Sequence, residues 1–200
     1  MTKTFLFLLF VAGSIAAQAG NPGDPLKVKV EESSIAWTGR KVTGQHHGNI
    51  AIKEGTLNIK DRILLGGSFT IDMTSITDLD QEGSGKTRLE NHLKSDDFFG
   101  VQTYPTATLV ITQAAPLGSG VFAITADLTI KGITHPVNFD ALLKFEPNNI
   151  IATADIKVDR SLYNVRYGSG KFFENLGDKV IYDEFELAVK LVITDDSIQK

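Results

Sequence analysis

The side chains able to do chemistry in this 200-residue chain are scattered, and none stands at a spacing that assembles a reaction centre. Its histidines are His46, His47, His92 and His135, and it has no cysteine. A local metal site would need a pattern such as His-x-His or His-x-x-x-His, or a cysteine pair, to bring ligands to one face. His46 and His47 are adjacent, and neighbours in an extended chain point to opposite faces, so they are not expected to share an ion. His92 and His135 stand alone, so no metal and no cofactor is expected. A serine nucleophile would sit in a Gly-x-Ser-x-Gly elbow, which neither Gly83-Ser84-Gly85 nor Gly168-Ser169-Gly170 provides. Lys171 after the second triplet does not create the spacing of a phosphate-cradling loop. Asp96-Asp97 and Asp195-Asp196 read as solvated or helix-capping carboxylates. Tyr104-Pro105 reads as a turn. In Asp159-Arg160-Ser161, Arg160 either reaches into a barrel mouth or pairs with Asp159 or a carboxylate elsewhere. No catalytic residue is assigned, and the chain is not expected to be an enzyme.

The elements that must position these residues are mostly strands. From Ser33 onward apolar and polar residues alternate with period two, the pattern of strands with one buried face. Phe122, Ile124, Ala126, Leu128 and Ile130 share one face, and Val137, Phe139, Ala141, Leu143 and Phe145 share another. Lys131-Gly132 joins these two runs as a hairpin. Further alternating runs are Phe69, Ile71 and Met73, then Ala152 to Val158, then Phe185 to Ile193. Ile50 and Ile52 have one parity and Leu57 and Ile59 the other, so a bulge or bend near Gly55 is expected. The one helical segment is Lys86 to Phe99, where Leu89 and Leu93 share a face. About eight strands joined by short connections close most naturally into an antiparallel barrel. The fold class is therefore all-β, with one short helix between strands as a plug or lid. Tyr163 to Lys179, with Gly168, Gly170 and Gly177 around Phe172-Phe173, breaks the alternation as a rim or an ordinary connection.

Lys3, the apolar run from Phe5 to Ala12 and Ala17-Gln18-Ala19 make a secretory signal, with cleavage expected after Ala19. Residues 20–32 read as a lead and 33–196 as one barrel domain. No later segment approaches the roughly 20 apolar residues of a membrane helix, so a soluble periplasmic or secreted protein is expected. A formal net charge of −4, with no clustered basic stripe, argues against nucleic acid as a partner.

Several segments together resemble the YceI-like family of exported polyisoprenoid-binding proteins. They are Ile35-Ala-Trp-Thr-Gly39, the His47-Gly48 step, Phe69-Thr-Ile-Asp-Met-Thr-Ser-Ile76 and His92-Leu-Lys-Ser-Asp-Asp-Phe-Phe99. Tyr104-Pro105, Leu128-Thr-Ile-Lys-Gly-Ile-Thr-His-Pro-Val137 and Val158-Asp-Arg-Ser161 complete the set. The loop with Arg166-Tyr-Gly-Ser-Gly-Lys-Phe-Phe173 looks like the version in a subset of the family. The resemblance implies a lipocalin-like barrel whose hydrophobic tunnel holds a long isoprenoid or other long-chain amphiphilic lipid, with a homodimer as a possible assembly. On that reading Phe69, Ile71, Met73, Phe122, Ile124, Val137, Phe139, Ile156, Val158, Leu187 and Val189 line the interior. Leu93, Phe98 and Phe99 close one end, and His47, His92, Arg160 and Tyr167 are head-group candidates. The same periodicity also fits a solid core, which leaves two rivals: a filled barrel that binds a partner protein, and a lipid-acting enzyme using His92 or His47 as base.

Overall fold

A computed structural model describes residues 25–194. The expected signal, the first part of the lead and Asp195-Asp196 lie outside them. Nine strands follow in chain order: β1 (Leu26–Lys27), β2 (Ser34–Lys41), β3 (Gly44–Lys60), β4 (Ile63–Asp78), β5 (Thr106–Gly118), β6 (Val121–Ile130), β7 (Ile133–Phe145), β8 (Asn149–Asp159) and β9 (Ile181–Thr194). Helix α1 (Gly83–Lys94) joins β4 to β5. The strands β2 to β9 pair antiparallel in a ring, β3-β2-β9-β8-β7-β6-β5-β4, and the β3–β4 pairing closes it. This is the expected barrel of eight strands, and closure leaves its wall without unpaired edges.

Local sequence accounts for most of the ring. Two-residue turns at Asp61-Arg62, Ser119-Gly120 and Lys131-Gly132 all have positive φ, the backbone that matches the right-handed twist of hairpin strands. The alternating runs face as expected: Phe122, Ile124, Ala126, Leu128 and Ile130 are all buried. The parity change in β3 is a bulge. Its register against β4 slips between Ile52 and Glu54, so the inward set passes from Ile50 and Ile52 to Gly55 and Leu57. Gly55 is required there, because a Cβ would stand 2.6 Å from the Phe69 ring.

Two elements differ from expectation. The helix covers Gly83–Lys94 rather than running to Phe99. Ser95 ends it: its Oγ donates to His92 O at 2.8 Å and its backbone is extended, the competition by which a short hydroxyl side chain breaks a helix. The lead also does not stay outside the barrel. From Leu26 it pairs with Leu57 of β3, beyond the β2 pairing, and Val28 is buried and bridges to Ile193. Two paired residues are too short to show a period.

Buried apolar side chains form two packed groups along the barrel axis. One contains Leu57, Leu64, Phe122 and Ile193, and the other Met73, Leu93, Phe98 and Val158. Truncating one such residue to alanine costs about 2–5 kcal/mol. Among the described residues no helix is long and apolar enough to cross a membrane.

Candidate functional site

The barrel interior is not filled. It holds an inner chamber of about 100 Å³ and an outer chamber of about 140 Å³. Ile35, Ile71, Leu128 and Leu187 border both chambers and form a waist between them. The inner chamber is lined by Phe69, Ile124, Phe139, Ile156, Val189 and other aliphatic residues, with Thr153 the polar exception. The outer chamber is bounded by Trp37, Met73, Phe98, Phe99 and Phe185, and by the polar residues Arg160, Tyr182 and Glu184. The inner chamber is thus apolar but for Thr153, and the charged residues Arg160 and Glu184 border the outer chamber alone.

The outer end is closed by α1 and the turn after it. Leu93 from α1 and Phe98 and Phe99 from the turn border the chamber. Phe98 and Phe99 meet edge to face at 5.9 Å, and Phe99 meets Phe185 at 6.3 Å. Lys131, in the β6–β7 turn, donates from Nζ to Phe98 O at 2.8 Å and Asp96 O at 3.3 Å, which ties the lid to the wall. Burial lowers the Lys131 pKa, against the pull of Asp96 and Asp97. On the other side, the Asp78 backbone N–H donates to Glu90 Oε1 of α1 at 2.9 Å.

Arg160 is only 3% exposed and organises the β8–β9 connection. Its guanidinium donates to the carbonyls of Tyr182 (3.1 Å), Val165 (2.8 Å) and Ile181 (2.9 Å), with Asp183 Oδ1 at 3.5 Å. Burial lowers its pKa while Asp183 and Asp159 oppose the shift. Of its two expected roles it has features of both, since it borders the outer chamber and stands beside the Asp183 carboxylate. Asp159 pairs instead with Lys171 Nζ at 2.7 Å. Tyr163, buried beside this turn, has its hydroxyl pushed up to about 12 by burial and by the charge of Asp159.

The other head-group candidates are placed differently. His92 stacks edge to face on Phe98 at 5.1 Å and on Tyr167 at 4.4 Å, so both form a layer outside the lid rather than chamber wall. His47 borders neither chamber; it lies at Asp80, where its backbone N–H donates to Oδ1 at 2.8 Å. His46 Nδ1 reaches the same carboxylate at 2.8 Å. The adjacent histidines thus converge on Asp80, because the chain after β4 folds back over the strand. Burial pushes the Asp78 carboxyl up, reinforced by Asp80, whereas the His47 and His46 contacts outweigh burial and hold Asp80 at about 2.

Among the expected lining residues, Phe122, Val137 and Val158 are packed into the wall and border neither chamber. Sequence reasoning missed Ile35, Trp37, Leu109, Ile111 and Ala154 as bordering residues. Ile35 and Trp37 lie in the quoted Ile35-to-Gly39 motif and alternate, which was the available signal. Trp37 is held by a bond from Nε1 to Thr77 O at 3.1 Å across Gly48. A Cβ on Gly48 would lie 1.8 Å from that same carbonyl, so only glycine permits the crossing. The Gly-Ser-Gly serines carry no reactive geometry: Ser169 is buried and its Oγ accepts from Lys171 N, while Ser84 is exposed in α1.

Residues 26–193 match the model of the YceI-like domain. The chain belongs to this family. A "UPF0312 protein" from Shewanella denitrificans is 34% identical over 83 residues, 38% of this chain and 44% of that relative. "Protein YceI" from Escherichia coli O6:H1 is 28% identical over 147 residues, 70% of this chain and 69% of that relative. The matched stretch thus spans less than half of the first relative's length. Two solved structures share the YceI-like fold. Burkholderia cenocepacia BcnA superposes with a TM-score of 0.69 at 22% identity, covering 82% of this chain and 98% of that one. A polyisoprenoid binding domain from Saccharophagus degradans, implicated in plant cell wall breakdown, gives 0.62 at 14% identity, covering 84% and 97%.

Proposed function

We propose that this YceI-like chain is an exported, non-enzymatic carrier that holds a polyisoprenoid or similar long-chain amphiphilic lipid in its barrel. The observation that carries the reading is the two-chambered, largely apolar cavity with its charged groups at one end. The family membership and the polyisoprenoid binding domain that shares the fold support it. The tail lies through the waist into the inner chamber, and the head group rests near Arg160 and Glu184. Tail burial drives binding at about 0.8 kcal/mol per CH₂, or roughly 3–4 kcal/mol per isoprene unit. A few units suffice for micromolar affinity, about −8 kcal/mol, after association costs. Export is read from the sequence between Lys3 and Ala19.

The test is to purify the protein from the exported fraction of its own host, extract it with organic solvent and identify bound molecules by mass spectrometry. A stoichiometric isoprenoid or fatty amphiphile is expected. An empty extract, with no uptake of added isoprenoids, overturns the carrier reading in favour of a protein-binding barrel. Recovery of the protein only from the cytoplasm overturns the export.

A further inference from the structure

Asp78 is the one aspartate among the described residues that is fully buried, at 0% exposure. Its Oδ2 accepts from Gln81 N at 3.0 Å, while Oδ1 is buried with no hydrogen-bond donor. A buried carboxyl oxygen without a partner is costly, and a proton or a cation relieves it. The Asp80 carboxylate and the His46 imidazole stand beside Asp78, and one ligand atom from each of His46, Asp78 and Asp80 lies within 4.8 Å of the others. Hydrogen bonds gather these groups at one place. Asp80 Oδ1 accepts from His47 N, and Asp80 Oδ2 stands 2.8 Å from His46 Nδ1, with the Gln81 side-chain amide 3.3 Å from that nitrogen.

We propose that His46, Asp78 and Asp80 form a binding site for one divalent transition-metal cation. One imidazole nitrogen with two carboxylates is a mixed donor set that suits zinc and its neighbours, whereas calcium and magnesium take oxygen ligands. Bonds of about 2 Å require the three groups to draw closer together. His46 and Asp80 are free to do so, since their side chains are 30% and 23% exposed. Their exposure also leaves the remaining coordination position open to water. The ion would give Asp78 Oδ1 the partner it lacks and would tie β3 to the end of β4. Through the bond from Asp78 N to Glu90 Oε1, it would also fix the start of the segment that carries α1. The site stands apart from both chambers, so it does not depend on what the barrel carries.

The experiment is zinc titration of the purified mature protein against a chromogenic chelator, with thermal unfolding followed in parallel. One zinc per chain at micromolar affinity is expected, together with a higher Tm. His46→Ala and Asp80→Asn each weaken binding by at least about tenfold. His135→Ala leaves the affinity unchanged, because His135 packs on Tyr163 away from the three ligands. Both ligand variants keep Asp78 intact, and wild-type circular dichroism without metal shows that they fold. No zinc binding at micromolar concentration overturns the proposal. So does binding that is equal in the wild type and the His46→Ala and Asp80→Asn variants, which would put the ion on another histidine.

Discussion

Arg160 shows how one residue joins the site to the fold. Three backbone carbonyls from two segments converge on its guanidinium, so its removal leaves the buried Val165 acceptor unsatisfied at about 1–3 kcal/mol and strips two part-buried ones of their donor. Arg160→Met, which keeps the apolar stem, is expected to lower stability by at least about 2–4 kcal/mol in a denaturant titration. The sequence placed Arg160 at the end of an apolar run but could not name its partners, because backbone acceptors twenty residues away leave no mark in composition. Asp159 carries a pH dependence. Burial alone would raise its pKa, but the bonds from Lys171 and Ser161 together prevail and lower it below 3.8. A depressed carboxylate stabilises the fold above its unfolded value, and that contribution is lost as pH falls through the folded value. Asp159→Asn should therefore be less stable than wild type near neutrality, with the gap closing below about pH 4. A gap that is constant from pH 7 to pH 3 would show that the Lys171 contact contributes no linked stability.

At the scale of elements, the strands were legible wherever alternation ran for several residues, as in β6 and β8. It failed for β1, whose two residues carry no period, and for the helix end, where the Ser95 hydroxyl rather than the apolar pattern decides. The bulge in β3 was visible as a parity change, since a barrel interior accepts only one facing. On the carrier reading, ligand exchange turns on the lid, which Lys131 ties to the barrel wall. Lys131 has φ +53°, so its replacement must tolerate that backbone. Lys131→Asn meets this requirement and removes the ammonium that holds Phe98 O and Asp96 O. The expected results are a loss of about 1–3 kcal/mol and faster exchange of a fluorescent lipid probe, with affinity changed less than the off-rate. An unchanged exchange rate in a variant destabilised to this degree would mean that the chamber opens elsewhere.

For the whole molecule, the closed ring fixes a cavity whose volume the sequence could not give. Alternation assigns residues to the inside, yet a filled core and a tunnel share the same pattern. Phe122 and Ile124 have equal standing in the sequence, but only Ile124 borders a chamber. Phe122 is packed into the buried core instead, which is a property of the assembled barrel. The two chambers nevertheless make distinguishable demands on a ligand. Ile124→Trp adds bulk to the inner chamber alone, and Ala107→Phe adds bulk to the outer chamber alone. Each change costs about 1–3 kcal/mol of stability where the void does not absorb it. If the tail threads from the lid through the waist, the inner block shortens the longest isoprenoid accepted. Each CH₂ excluded costs about 0.8 kcal/mol, roughly a fourfold loss in Kd, while short chains bind as before. The outer block is expected to remove binding at every chain length, because it stands at the end where Arg160 and Glu184 lie. A chain-length series titrated against both folded variants measures this. Equal losses for short and long chains in Ile124→Trp would mean that the inner chamber is not where the tail lies.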